Sequence, residues 1–252
     1  FMERLAFLTP EQVLAIREAF GSPVFVYDEK TLLRRASEVL AFPNAFGFTA
    51  RYAMKACPTR AIVQILHRAG LFIDASSGYE AQRAMLAGVP PQHIQITAQE
   101  IPKNLAELLG KGVLFNATSL HQLEIYGELC PGTEAGVRIN PGLGSGHNNR
   151  TNVGGPTASF GIWHEYLERV LAVAEKWKLR VTRMHTHIGS GADPQVWNRC
   201  AKLSLHIAER LPDVKVLSLG GGFKVGRMSG EPTANLQEIG MVIKRDVEQF
   251  AE

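Results

Sequence analysis

Cysteine is scarce in this chain. Cys57, Cys130 and Cys200 are the three among 252 residues, and their spacing is not that of a metal knuckle. That pattern disfavours a disulfide framework and fits a reducing compartment, so the cytoplasm is the expected location. No apolar run is long enough to span a bilayer, and the opening residues carry no secretory-leader pattern. An excess of one charge is also lacking. The 27 Lys and Arg stand against 24 Asp and Glu, a net of +3, with the basic residues scattered. No dense basic run alternates with aromatics, so no nucleic-acid face is expected. Internal repeats and low-complexity segments are missing as well.

What is present is a composition that is 45% hydrophobic, enough for one substantial core. Thr9-Pro10-Glu11-Gln12 reads as a helix start, with threonine as the cap, proline in the first turn and Gln12 able to reach back. This helix is expected to run to about Phe20 and stop at Gly21, and Pro23–Tyr27 reads as a short strand. Apolar runs then fall at Phe46–Met54, Leu71–Asp74, Ile94–Thr97, Val113–Asn116, Gly136–Asn140, Val181–Ile188 and Val214–Leu219. Helical patterns lie between them, and a last helix is expected over Ala234–Phe250. Alternation of this kind means parallel strands joined by crossover helices. Seven strands, each followed by a helix, predict an α/β fold, a (β/α)8 TIM-type barrel truncated after its seventh β/α unit. The chain therefore reads as a fragment of a longer protein. The Gly- and Asn-rich stretch Pro141–Pro156 is expected to be a mobile loop over the site.

In such a barrel, chemistry sits at the carboxyl ends of the strands. Polar groups interrupt the apolar runs at those ends: Lys55, Asp74, Asn116, Arg138, Asn140, His187 and the run Gly220-Gly221-Gly222. A lysine, a histidine and a glycine cradle on different strands can together hold a phosphorylated aldehyde. Lys55 can condense with a carbonyl carbon, although a lysine at this place can equally pack its stem and solvate its head. The three glycines let backbone N–H groups approach an anion, or simply make a tight turn with positive φ. Ser190 and Gly191 can add donors. His185 and His187 are expected to point to opposite faces, leaving only His187 at the barrel mouth. The rival reading of His-x-His is metal ligation, which needs further ligands from other strands. Arg138 is either an anion clamp or the partner of Asp74 or Glu80, and Glu80 can instead serve a helix dipole.

Taken together, these residues resemble the fold-type III pyridoxal-phosphate decarboxylases, the family of diaminopimelate and ornithine decarboxylases. The likeness runs from about Gly21 to Phe223. Tyr52-Ala53-Met54-Lys55-Ala56 resembles the segment that carries the cofactor lysine, which implies that role for Lys55. His185-Thr186-His187-Ile188-Gly189-Ser190 resembles the segment whose second histidine stacks on the pyridine ring and whose serine touches the phosphate. This implies those roles for His187 and Ser190. Gly220, Gly221 and Gly222 match the phosphate-binding glycines, and Asp74, Ser77 and Glu80 match the second-strand segment. Arg138-Ile139-Asn140-Pro141 resembles diaminopimelate decarboxylases more than ornithine decarboxylases. Ser159 and Tyr79 depart from the family pattern, which has lysine and glycine there.

The resemblance implies pyridoxal 5'-phosphate as cofactor, a small amino-acid substrate and a homodimer for the full-length protein. The expected reaction is α-decarboxylation, of meso-diaminopimelate to L-lysine. It also implies that residues 1–27 help to build a C-terminal β domain absent from this sequence, and that residues 28–252 are the cofactor-binding barrel. The family's eighth-strand glutamate, which pairs with the pyridine nitrogen, has no counterpart here, so the chain alone is expected to be weak or inactive. The alternatives are a non-catalytic cofactor-binding or regulatory homologue, an alanine-racemase-like enzyme, and a metal-dependent barrel hydrolase using His185 and His187.

Overall fold

A computed structural model describes residues 7–144, 154–226 and 230–252. Two helices precede the sheet, α1 (Pro10–Phe20) and α2 (Glu29–Leu40). Strands and helices then alternate: β1 (Arg51–Ala53), α3 (Arg60–Arg68), β2 (Phe72–Ala75), α4 (Gly78–Leu86), β3 (Ile94–Ile96) and α5 (Leu105–Gly110). Next come β4 (Leu114–Ala117), α6 (Leu120–Leu129), β5 (Glu134–Asn140), β6 (Ile162–Trp163), α7 (Leu167–Trp177) and β7 (Arg180–His185). The described chain finishes with α8 (Pro194–Ala208), β8 (Val216–Ser218) and α9 (Leu236–Ala251).

All strand pairs are parallel, in the order β1-β2-β3-β4-β5-β7-β8, and two-residue β6 pairs with β5 off this path. The sheet is thus an incomplete, curled (β/α) barrel, with β1 and β8 as edges that do not pair with each other. All seven expected strands are present, within a few residues of their apolar runs.

The burial pattern follows the two-residue period of a strand. In β5, Ala135, Val137 and Ile139 are all 0% exposed and belong to the main core with Leu123, Leu167 and Val170 of α6 and α7. The alternate residues Gly136, Arg138 and Asn140 face the other way, into the barrel lumen. Fully burying an isoleucine or leucine contributes about 1.5–3 kcal/mol. A second cluster joins Leu32, Ala36 and Val39 of α2 to Ile62 and Leu66 of α3. A third joins Trp197 and Cys200 of α8 to Ile239 of α9.

The capping box at α1 forms as expected: Gln12 N donates to Thr9 Oγ1 (3.3 Å) and Thr9 N to Gln12 Oε1 (2.8 Å). The strand expected at Pro23–Tyr27 does not form. A strand needs a neighbouring edge, and this segment lies open, with Phe25 90% exposed. Helix α2 was not anticipated, although its signals are present. Asp28 Oδ2 caps Thr31 N at 3.0 Å, and Leu32, Ala36 and Val39 share a face. Most of the loop between Pro141 and Pro156 that is expected to be mobile, residues 145–153, lies outside the described residues.

Between α6 and α7, the Trp177 side chain lies directly on Gly127, where any Cβ would overlap the indole ring. Trp177 Nε1 also donates to Glu124 Oε2 at 2.6 Å, which fixes the indole. Gly127→Ala should therefore destabilise the fold by about 1–3 kcal/mol through overpacking. Urea denaturation should show a lower midpoint with an unchanged slope. An unaltered midpoint would mean that α6 and α7 can separate freely.

Candidate functional site

The carboxyl ends of the strands meet at one mouth. After β1 the chain makes a single 3-10 turn, Met54–Ala56, whose Met54 is fully buried and anchors it. Lys55 on that turn is exposed, and its charge acts on Asp74, His185 and His187. The turn follows the last residue of β1, so Lys55 sits at the mouth end of the sheet.

Asp74 near the end of β2 accepts from Thr97 Oγ1 at 3.1 Å and from Gln95 Nε2 at 3.4 Å. Burial raises its pKa, opposed by those two hydrogen bonds and by the charges of Arg51 and Lys55. Arg138 on β5 is 8% exposed, and its guanidinium sits 5.1 Å from the centre of the Phe160 ring. Burial pushes the guanidinium down to about 10, while Asp74 pulls it the other way. No ion pair joins Arg138 to Asp74 or Glu80 among the described residues, and its Nη2 is buried without a partner. Of its two readings, the anion clamp is the one this geometry leaves open. Glu80 instead closes the start of α4, with Oε2 accepting from Ser76 N at 2.7 Å and Glu80 N donating to Ser77 Oγ at 3.2 Å.

The expectation for the two histidines is corrected. Residues two apart share one face of a strand, and the rings of His185 and His187 lie 6.3 Å apart at 32°. The residue between them faces outward: Thr186 Oγ1 meets Ser204 Oγ at 2.9 Å on α8. His187 is pushed down to about 3, first by burial and then by the charges of Arg138 and Lys55. His185 is lowered by burial too, with Arg138, His187 and Lys55 adding to it. Both rings are therefore neutral. His187 Nδ1 is buried without a partner, whereas His185 Nδ1 meets Ser218 Oγ at 2.9 Å.

The glycine run follows β8. Gly220 (φ +74°) lies against His187, so a Cβ there would be 2.5 Å from His187 Nδ1. A Cβ on Gly222 (φ +93°) would overlap the Gly189 carbonyl. Only glycine fits these two positions, by conformation and by space. At Gly221 a Cβ would meet nothing within 4 Å, so the turn opens into free space there. The far end of the turn is tied to the β7 side by Gly191 N donating to Gly222 O at 3.0 Å, next to half-buried Ser190. The structure thus gathers Lys55, Asp74, Arg138, His187, Ser190 and Gly220–Gly222 at one mouth.

Asn140 has another task. Its side chain holds both ends of the neighbouring loop, accepting from Gly142 N (3.1 Å) and Gly155 N (2.9 Å) and donating to Gly155 O (2.9 Å). Sequence reading missed His185, Arg51, Gln95, Thr97 and Arg183 as lumen residues. Their signal was a polar side chain at every second place of an otherwise apolar strand. No group of three His, Cys, Asp or Glu is placed to hold a metal ion among the described residues.

Residues 32–252 match the family model described as pyridoxal-dependent decarboxylase, pyridoxal binding domain. Diaminopimelate decarboxylase of Escherichia coli is 32% identical over 236 residues, covering 91% of this chain and 55% of that protein. The Streptomyces coelicolor diaminopimelate decarboxylase is 33% identical over 218 residues, covering 84% and 48%. A crystal structure of diaminopimelate decarboxylase superposes with a TM-score of 0.88 at 31% identity, covering 96% of this chain and 58% of that one. The lysine/ornithine decarboxylase of Vibrio vulnificus, complexed with putrescine, shares the fold at a TM-score of 0.78 and 22% identity, covering 96% and 64%. The chain spans about half the length of the curated relatives it matches.

The neutral histidines make stability depend on pH. The folded state holds His187 near 3 against an ordinary 6.5, so between those values the unfolded chain binds protons that the folded chain refuses. Stability is then fully present above pH 6.5 and drains away as pH falls toward 3. Asp74, whose pKa is raised, acts in the opposite sense, so the comparison must be between variants. Melting temperature should drop less between pH 7.5 and pH 5 in His187→Gln than in the wild type. Equal drops would show that the ring is not held neutral.

Proposed function

Since the chain belongs to the pyridoxal-dependent decarboxylases, through their pyridoxal binding domain, we propose that the whole protein decarboxylates meso-diaminopimelate to L-lysine. The substrate reading rests on the diaminopimelate decarboxylases that are 31–33% identical to it. The site reading is supported by Lys55 just after β1, the neutral His187 ring and the Gly220–Gly222 turn, all at the carboxyl ends of their strands. Residues 28–252 are read as the cofactor barrel. Residues 1–27 are read as an arm for a separate β domain, supported by an α1 that buries none of its residues. The whole protein is proposed to work as a cytoplasmic homodimer, the compartment being one that suits its three free cysteines.

The site fits pyridoxal phosphate on three counts. The glycine turn is a cradle that side chains would fill, Arg138 Nη2 is a buried donor without a partner, and His187 Nδ1 is likewise unpaired. When bound, pyridoxal phosphate supplies an aldehyde carbon and a ring that takes up the electron pair left as carbon dioxide departs. Lys55 contributes the primary amine that attaches to an aldehyde and yields to a substrate amine. His187, uncharged and half-buried, offers its flat face to an aromatic ring. Ser190 and the backbone N–H groups of the glycine turn receive a phosphate. Arg138 clamps an anionic oxygen, and Phe160 over its guanidinium keeps water from it. Asp74, held by Thr97 and Gln95, stands as the counter-charge to Lys55 and Arg138. The 252-residue chain by itself is expected to turn over weakly, because β1 and β8 are left as open edges beside the site.

The test is direct. The purified full-length protein should show the absorbance band of attached pyridoxal phosphate and release carbon dioxide from meso-diaminopimelate. Lys55→Ala should lose both. Arg138→Ala should keep the band but bind the cofactor about 10- to 100-fold more weakly, the scale of a charge-assisted hydrogen bond. A band that survives in Lys55→Ala would overturn the anchor, and a band without carbon dioxide release would leave a non-catalytic binding protein.

A further inference from the structure

We propose that His185 and Ser218 are positioning residues that lock the Gly220–Gly222 turn in its phosphate-receiving shape. The inference rests on the cofactor reading above and extends it to two side chains that need not touch the cofactor.

A run of three glycines has no side chains with which to hold its own conformation, and Gly220 and Gly222 are free to leave their positive φ. Something else must fix it. The far end is fixed by the Gly191–Gly222 hydrogen bond and by the pairing of Gly191 with Phe223. At the near end, Ser218 Oγ accepts from Gly220 N at 3.4 Å and meets His185 Nδ1 at 2.9 Å. His185 and Ser218 are direct cross-strand partners in the β7–β8 ladder, so the pair is built into the sheet and not into the loop.

The direction of the chain follows from its members. A backbone N–H can only donate, so Ser218 Oγ is the acceptor for Gly220. Its hydroxyl proton and its second lone pair both remain, so either tautomer of the His185 ring completes the bond from Nδ1. Either tautomer is a neutral imidazole, in keeping with a ring that burial and the charges of Arg138, His187 and Lys55 all hold unprotonated. The His185 bond fixes the Ser218 hydroxyl in place, and with it the acceptor for Gly220 N. Gly220 in turn sits hard against His187 Nδ1 and the Thr186 carbonyl. A turn released from Ser218 would shift the anion cradle. With the Gly220 amide committed inward, Gly221 and Gly222 are left as the donors facing an anion.

The experiment compares pyridoxal 5'-phosphate with pyridoxal, which lacks the phosphate, binding to the purified full-length protein by the absorbance of the attached cofactor. Ser218→Ala should weaken pyridoxal phosphate by about tenfold, the scale of a lost buried hydrogen bond. Pyridoxal binding should stay unchanged, and Ser218→Thr, which keeps the hydroxyl, should restore the preference. His185→Phe should repeat the Ser218→Ala result, and if it fails to fold, the Ser218→Ala and Ser218→Thr pair decides alone. Equal weakening of both ligands, or of neither, overturns the proposal while leaving the cofactor reading intact. A wild-type protein that attaches neither ligand overturns the cofactor reading, and this inference with it.

Discussion

The lumen of this barrel is organised by the burial of positive charge. Arg51, Arg138 and Arg183 come from three different strands, and burial lowers the pKa of each. Lys55 adds a fourth cation at the rim, and Asp74 is the carboxylate that answers Arg51, Lys55 and Arg138. Desolvation is expensive for each of these groups unless something opposes it. The arrangement forces both histidines to stay neutral, because any proton added to either would meet Arg138 and Lys55. It also leaves a guanidinium nitrogen buried without a partner. A desolvated, cation-rich mouth beside a glycine cradle is a place where an anion is favoured.

The same fold that creates this charge also limits how it moves. Arg138, His185 and Asp74 lie on strands whose other faces form the hydrophobic core, so a shift in any of them would disturb packed residues such as Val137, Met184 and Ile73. The glycine turn is the exception. It has backbone freedom and little mass, and its shape is set by neighbours: Gly191 at one end, Ser218 and His185 at the other. Rigid strand ends and a clamped flexible turn meet at the same end of the sheet.

Much of the architecture was legible because hydrophobic periodicity is local. Runs such as Ile94–Thr97 and Val181–Ile188 show their strands directly, and Thr9 with Gln12 shows a helix start that forms as read. Helix α2 was passed over even though Asp28 and the Leu32, Ala36 and Val39 face were there to see. Pro23–Tyr27 has the composition of a strand but no edge to join, and composition says nothing about partners. His185 and His187, two residues apart, share one face as the strand period demands, with their rings 6.3 Å apart, and not the opposite faces expected from sequence.

Residue types and their order along the chain were enough to establish a β/α alternation, a lysine, a histidine and a glycine run at strand ends, and the family likeness those residues carry. These are properties of near neighbours in sequence, where side-chain period and turn chemistry act. Which groups face one another was decided only in three dimensions. Asn140 serves a loop, Glu80 serves a helix start, and His185 holds Ser218, while Arg138 alone among the doubtful cases keeps a donor unspent. The physical reason is that hydrogen bonding and desolvation act across distances of a few ångströms between strands far apart in the chain. Their balance exists only once the sheet has curled and water has left the lumen.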